Sequence, residues 1–218
     1  MPQLPNDKAT ARSRFVNDRC TLGNHQRREA SSAAVARLVR APELVKAKTV
    51  CAYVSFGTEP ETGGLIDALA ARGVTVLLPV LRADRDLDWA RYEPEAEFKP
   101  SRLGLREPGG ERLGVEAVRD ADVMIVPALA VSADGQRLGR GGGSYDRVLA
   151  RLSDAVADVD ADAAFDADAG ARRRKHRPWV CALLFDHELD ARFPVEPHDR
   201  PVDAACSAAR LVRFFRSR

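Results

Sequence analysis

The run Arg137-Leu-Gly-Arg-Gly-Gly-Gly-Ser-Tyr-Asp-Arg147 has the makeup of an anion-binding loop. Four glycines in five positions, Gly139 and Gly141 to Gly143 around Arg140, leave little side chain between the backbone and a ligand. They also permit the positive φ angles that turn successive N–H groups toward one point, which is how a backbone cradles phosphate. After the loop, Tyr145, Val148, Leu149 and Leu152 recur at i, i+3, i+4 and i+7, the apolar stripe of a helix that starts near Ser144. The loop therefore sits at a helix N-terminus. Unpaired N–H groups and the positive end of the helix dipole favour an anion there, and Arg137 and Arg140 add charge. A P-loop would close on Gly-Lys-Ser/Thr, and a dinucleotide fingerprint would carry Gly or Ala where Ser144 stands, so neither of these motifs is present. A glycine run alone also suits a tight exposed turn.

The elements that must position this loop alternate between strand and helix. Val50 to Phe56, Val74 to Val80, Val123 to Val131 and Trp179 to Phe185 read as strands, and their unbroken apolar character implies burial on both faces. Arg28 to Val45 carries a helical pattern. Thr62 is the expected N-cap of a helix reaching Arg72, which Gly73 ends. This alternation predicts an α/β fold with a mainly parallel sheet flanked by helices. In such sheets ligands bind beyond the carboxyl ends of the strands. The strand ending near Val131 leads through Ser132, Asp134 and Gly135 into Arg137, which places the loop at such an end.

With 218 residues, the chain suits one medium domain spanning 1–218. A net charge of +2 with 30% charged residues is not the balance of a nucleic-acid-binding protein. No apolar run approaches a membrane span, and Met1 to Arg19 lacks the apolar core of a signal peptide. A cytoplasmic monomer is the expectation, with no nucleic acid and no membrane as partners. Cys20, Cys51, Cys181 and Cys206 are widely spaced without a C-x-x-C pair, so reduced and mostly buried thiols are expected.

Two further clusters call for a reading. Residues 154–177 join an Asp/Ala-rich block to the basic run Arg172 to Arg177, and their low apolar content predicts a mobile, partly self-neutralising surface insert. Asp186, His187 and Glu188, with His198 and Asp199, use zinc or manganese ligand types, but their spacing fits no closed zinc site.

The chain resembles the 5-formyltetrahydrofolate cyclo-ligase family, also called 5,10-methenyltetrahydrofolate synthetase. The resemblance rests on Asp122-Val-Met-Ile-Val-Pro-Ala-Leu-Ala130 and the block Gly135 to Arg147, which is similar to the family's "GGGYYDR" signature. Supporting pieces follow in order: Lys8 and Arg12, the segment Tyr53 to Thr62, Leu105-Arg-Glu-Pro108, and Pro194-Val-Glu-Pro-His-Asp199. The resemblance implies an ATP- and Mg²⁺-dependent ring closure on a reduced folate. In it, ATP phosphorylates the formyl oxygen of 5-formyltetrahydrofolate, N10 attacks the activated carbon, and phosphate leaves to give 5,10-methenyltetrahydrofolate.

Carried over by position, the resemblance implies that Lys8 and Arg12, one helical turn apart, contact ATP together with Arg137, Leu138, Gly139, Arg140, Gly141, Gly142, Gly143, Ser144 and Tyr145. It implies folate contacts from Val54 and Glu59 and from the loop residues Arg140 to Ser144, with Glu59 accepting from pterin N–H groups. Phe56 would wall the pterin. Asp146 and Asp199 match the Mg²⁺ carboxylates, and one or two suffice because phosphate oxygens and waters complete the octahedron. No protein nucleophile is implied, since phosphoryl transfer asks mainly for positioning and charge neutralisation. Each residue also has a plainer reading: a solvated helix face for Lys8 and Arg12, core for Val54, a dipole-complementing carboxylate for Asp146, a turn residue for Asp199.

Two positions depart from the pattern, Ser144 where the family often has a tyrosine and Arg140 where many members have one. They are the support for an alternative, a relative that binds folate or nucleotide without turnover. Intact Glu59, Asp146 and Asp199 favour the enzyme. Nucleic-acid binding through Arg172 to Arg177 ranks last.

Overall fold

The computed structural model describes residues 7–95, 98–100, 106–161 and 177–215. Among the described residues, five α-helices, α1 (Lys8–Thr21), α2 (Asn24–Leu38), α3 (Pro42–Lys46), α4 (Gly63–Ala71) and α5 (Ser144–Ala161), accompany eleven strands. Seven of these form one sheet: β1 (Thr49–Cys51), β2 (Thr75–Leu81), β3 (Leu87–Arg91), β6 (Val123–Pro127), β9 (Trp179–Leu183), β10 (Ala204–Cys206) and β11 (Leu211–Arg213), in the order β11-β10-β9-β6-β1-β2-β3. The five central strands are parallel, and β3 and β11 close the two edges antiparallel. Two short hairpins complete the list, β4 (Phe98–Pro100) with β5 (Arg106–Pro108), and β7 (Ala130–Val131) with β8 (Arg137–Leu138). The mainly parallel, helix-flanked sheet read from the sequence is what the chain forms.

Alternate residues along each parallel strand supply two separate cores, the period-two rule of a sheet covered on both faces. Cys51, Leu77, Met124, Val126, Val180 and Ala182 meet Val148, Leu149 and Leu152 of α5 on one face. Val50, Val76, Ile125, Cys181 and Leu183 meet Leu38 of α2, Leu44 of α3 and Leu65 and Leu69 of α4 on the other. Helix α1 joins neither. Its buried residues Ala11 and Phe15 form a third cluster with Leu129, Ala130, Leu138 and Phe193, on the segments that follow the sheet's carboxyl ends.

The chain leaves β1 for β2 on one side and resumes with β6 on the other. The carboxyl ends of β1 and β6 thus flank the switch point where ligands bind in open α/β sheets.

Several boundaries differ from expectation. The helix predicted over 28–45 is two helices, because Pro42 cannot continue a helix and instead starts α3 at its first position. Strand β1 ends at Cys51, well short of Phe56, because the Thr62 hydroxyl takes the Tyr53 carbonyl at 2.6 Å and bends the chain off the sheet. Thr62 therefore occupies the N-cap position of α4 without capping it: its oxygen accepts from the Ser55 N–H at 3.0 Å. The strand expected through Val131 stops at Pro127 and turns into the β7–β8 hairpin. Of the segment 154–177 expected to be an insert, the part up to Ala161 is helical, since α5 runs that far. Alanine has the highest helix propensity, and Val156 and Val159 extend the spacing of Leu149 and Leu152. Residues 162–176, including the basic run up to His176, lie outside the described residues, and Arg177 beyond them is paired with Asp203 at 2.8 Å. Cys20 is exposed and Cys51, Cys181 and Cys206 are buried, all as free thiols.

Candidate functional site

The β7–β8 hairpin folds the chain back on β6, so that Arg137, 5% exposed, points at the end of the strand it has just left. Its Nη1 donates to the Pro127 carbonyl at 3.3 Å and its Nη2 pairs with the Asp146 carboxylate. Helix α5 starts at Ser144 as the spacing predicted, and Gly143, with φ +72°, precedes it. Ser144 is thus the first helical residue and not the cap.

The glycines divide into two kinds. A Cβ at Gly139 would lie 2.7 Å from Arg137 Nη1, and one at Gly141 would lie 3.3 Å from the Arg12 guanidinium, whereas Gly142 and Gly143 meet nothing closer than 3.8 Å. Gly139 and Gly141 therefore make room for arginines, and Gly142 and Gly143 keep the outer loop bare. Gly141, at φ +96°, also holds a conformation that L side chains rarely adopt. Arg12 Nε donates to the Gly139 carbonyl at 2.9 Å, so the loop rests on two guanidinium groups from below.

Lys8, 9% exposed, sends its ammonium to both Asp199 oxygens at 2.6 and 2.5 Å and to Glu196 Oε2 at 2.8 Å. Burial opposes the charge of each partner, but the hydrogen bonds outweigh it: the Lys8 pKa is raised and that of Asp199 is held below the usual carboxylate range. Lys8, Arg12, Arg137, Gly139, Asp146 and Asp199 face one cleft of about 340 Å³. Five basic side chains line it, Arg147 and Arg200 being the others, against two aspartates, an excess that suits a polyphosphate.

Glu59 stands across the glycine loop. Its Oε2 accepts from the Phe56 N–H at 3.0 Å, and its Oε1 lies 3.2 Å from Arg140 Nε. Burial pushes its pKa up, against the pull of that hydrogen bond and of Arg140. Arg140 thus ties the loop beyond β6 to the loop beyond β1. Tyr145 packs against both sheet cores beneath this bridge, and burial raises its hydroxyl pKa, as it does for Tyr53. Val54 packs against the core and Phe56 is 44% exposed at the rim. Glu61 faces Arg28 at the surface.

Of the residues given ATP, folate or metal roles, Lys8, Arg12, Arg137, Leu138, Gly139, Gly141, Gly143, Asp146 and Asp199 line this cleft and Glu59 adjoins the loop through Arg140, whereas Val54 and Tyr145 have core contacts. Asp186, His187 and Glu188 contribute to no ligand group among the described residues. Glu188, fully buried, faces inward, and the group with ligand atoms within 4.8 Å of one another is Glu196, His198 and Asp199, into which Lys8 projects.

Sequence reasoning missed the pair that anchors α1. Arg19 and Glu188, both fully buried, meet through two hydrogen bonds of 2.6 and 2.9 Å, and Arg19 also donates to the Ala128 carbonyl at 2.6 Å. Lys8, Ala11, Phe15 and Arg19 are the buried residues of α1, a stripe in which two of four positions are charged. Charge on the buried stripe of a helix was the available signal. Glu196 was also missed, as were Arg147 and Arg200.

Comparison with known proteins adds a pedigree. A family model described as the 5-formyltetrahydrofolate cyclo-ligase family matches residues 5–208. A 5-formyltetrahydrofolate cyclo-ligase of Escherichia coli K12 is 38% identical over 195 residues, covering 88% of this chain and 96% of its own. One from Mycolicibacterium smegmatis is 40% identical over 160 residues, 71% of each chain. The solved structure of Aquifex aeolicus 5,10-methenyltetrahydrofolate synthetase superposes with a TM-score of 0.74 at 24% identity, covering 97% of this chain and 94% of that one. At that identity the likeness speaks for the fold.

Proposed function

Because the chain belongs to the 5-formyltetrahydrofolate cyclo-ligase family and is a ligase acting on that reduced folate, we propose that it drives ring closure with ATP and Mg²⁺ in the cleft between α1 and the glycine loop. The observation that carries this reading is the Arg140–Glu59 bridge. It joins a cation-rich cleft to a buried carboxylate across a single loop, so a polyphosphate and a fused-ring substrate can meet at Gly142 and Gly143.

In this reading Lys8, Arg12, Arg137 and the backbone of Leu138 to Tyr145 hold the phosphates, with α5 contributing its N-terminal dipole. Glu59 accepts from the donor edge of the pterin, while Val54, Phe56 and the loop residues Arg140 to Ser144 border the folate. The γ-phosphoryl group passes from ATP to the formyl oxygen and ADP departs. The N10 lone pair then attacks the formyl carbon, N10 loses its proton, and phosphate leaves carrying that oxygen. The chain's basic residues disperse the charge that develops on the transferring group.

Asp146 and Asp199 fit a hard cation as oxygen donors on one cleft, although each carries a basic partner, Arg137 and Lys8. When bound, Mg²⁺ supplies neutralisation of phosphate charge. The four free thiols suit a reducing compartment such as the cytoplasm. Arg140 gains a purpose in its pair with Glu59, so its departure from the family pattern no longer favours a binding-only protein.

The test follows methenyl-product absorbance while protein, 5-formyltetrahydrofolate and MgATP are mixed, with ATP and Mg²⁺ omitted in turn. Product only with both present supports the reading. A folded protein that forms product without ATP, or none with it, removes it.

A further inference from the structure

The cation that Asp199 holds belongs to the protein. Lys8 Nζ takes both of its oxygens, and Oδ2 also accepts the Glu196 N–H at 2.7 Å. A carboxylate offers about four lone-pair positions, and Asp199 commits three of them to its own chain. Asp146 differs, with a single oxygen engaged by Arg137. A divalent cation approaching Asp199 therefore competes with the ammonium for the same oxygens and is repelled by its charge.

Lys8 has a second seat beside the first. Glu196 Oε2 already accepts from it at 2.8 Å, and Glu196 is held in a turn closed by the Asp199 N–H to the Glu196 carbonyl at 3.0 Å. Pro194 and Pro197 fix φ on either side of Glu196. His198 Nε2 lies 3.2 Å from the same Glu196 oxygen. An ammonium released from Asp199 stays tethered to the cleft, within reach of a phosphate.

We propose that Lys8 is the place-holder for the metal of MgATP at Asp199, and that Glu196 is the positioning residue that retains Lys8 in the cleft once the metal takes its place. The proposal rests on the assignment of Asp199 as a metal ligand. Its consequence is that free Mg²⁺ binds poorly in the absence of nucleotide. ATP brings the cation that replaces the ammonium together with the anion that receives it, so the two enter as a unit.

The test titrates Mn²⁺ into the full chain without nucleotide, reading bound metal by electron paramagnetic resonance in the parent, Lys8→Met, Asp199→Asn and the double variant. Lys8→Met is expected to bind free Mn²⁺ on the order of tenfold more tightly than the parent, the scale of ordinary coupled binding. Adding Asp199→Asn should abolish the gain. Glu196→Gln should raise KM for ATP several-fold with kcat and melting temperature unchanged, a split that a purely structural role would not produce. No gain in Lys8→Met, or a gain that survives Asp199→Asn, overturns the proposal. A parallel MnATP titration separates the failures. If Asp199→Asn binds MnATP as the parent does, the metal assignment itself is wrong; if it loses MnATP while Lys8→Met gains nothing, only the exchange is wrong.

Discussion

Gly139 is a glycine because of Arg137: a Cβ at 139 would lie 2.7 Å from Arg137 Nη1, the nitrogen that donates to the Pro127 carbonyl. The loop's composition thus answers as much to the side chains beneath it as to the ligand above.

Gly139→Ala should therefore displace Arg137 from Asp146 and from the end of β6. Arg137 is buried and cannot swing into solvent freely, so the loop must shift. Misplacement by a fraction of an ångström to an ångström predicts a fall in turnover on the order of tenfold to a hundredfold, with a stability loss of about 1–3 kcal/mol. Steady-state kinetics beside urea unfolding checks both; unchanged kinetics would show that the loop does not depend on Arg137.

Asp146→Asn keeps the side-chain shape and removes the charge. Arg137 retains its bond to the Pro127 carbonyl, so the fold should persist with a loss of about 1–3 kcal/mol from the weakened pair. Turnover should drop about a hundredfold or more, the scale for losing one preorganised electrostatic group. Product absorbance, with circular dichroism as the control for folding, decides it.

Glu59→Gln should stabilise the protein near neutral pH while weakening folate binding. Burial raises the folded pKa of Glu59 above its ordinary value of 4.5. Above that value the unfolded chain releases this proton before the folded one does, so stability falls as pH rises until the raised pKa is passed. The glutamine variant lacks this slope. Its advantage in melting temperature should be present at about pH 7 and vanish toward about pH 4, and a variant less stable than the parent at neutral pH would contradict the assigned cause.

Glu188→Gln leaves the Arg19 guanidinium, fully buried, without its charge partner. A loss of about 3–5 kcal/mol is expected, and Arg19→Met combined with Glu188→Leu should recover part of it. Recovery stays partial because Arg19 also holds the Ala128 carbonyl and Glu188 accepts from the Phe185 N–H at 2.9 Å. Urea unfolding of the parent and the two variants measures this directly.

The glycine loop, the start of α5 at Ser144 and strands β2, β6 and β9 were legible because each signal is local. Periodic apolar residues and clustered glycines declare themselves within a dozen positions. What was illegible depends on distant partners. Thr62 looks like a cap until the Tyr53 carbonyl competes for its hydroxyl, and Gly139 looks like ligand space until Arg137 folds under it. Arg19 and Glu188 are separated by 169 positions, and no spacing rule joins them. The edge strands β3 and β11 are short or charged, so neither carries the unbroken apolar run of the central strands.

Helix α1 is made first and satisfied last. Its three basic anchors wait for Gly139, Glu188 and the turn of Glu196 to Asp199, all past the midpoint of the chain. During synthesis it leaves the ribosome with Lys8, Arg12 and Arg19 unpartnered, and contacts of such long sequence separation form slowly. The cleft is accordingly assembled late: a nascent polypeptide stopped before Glu188 can build much of the parallel sheet and still lack the carboxylates that pair with Lys8 and Arg19.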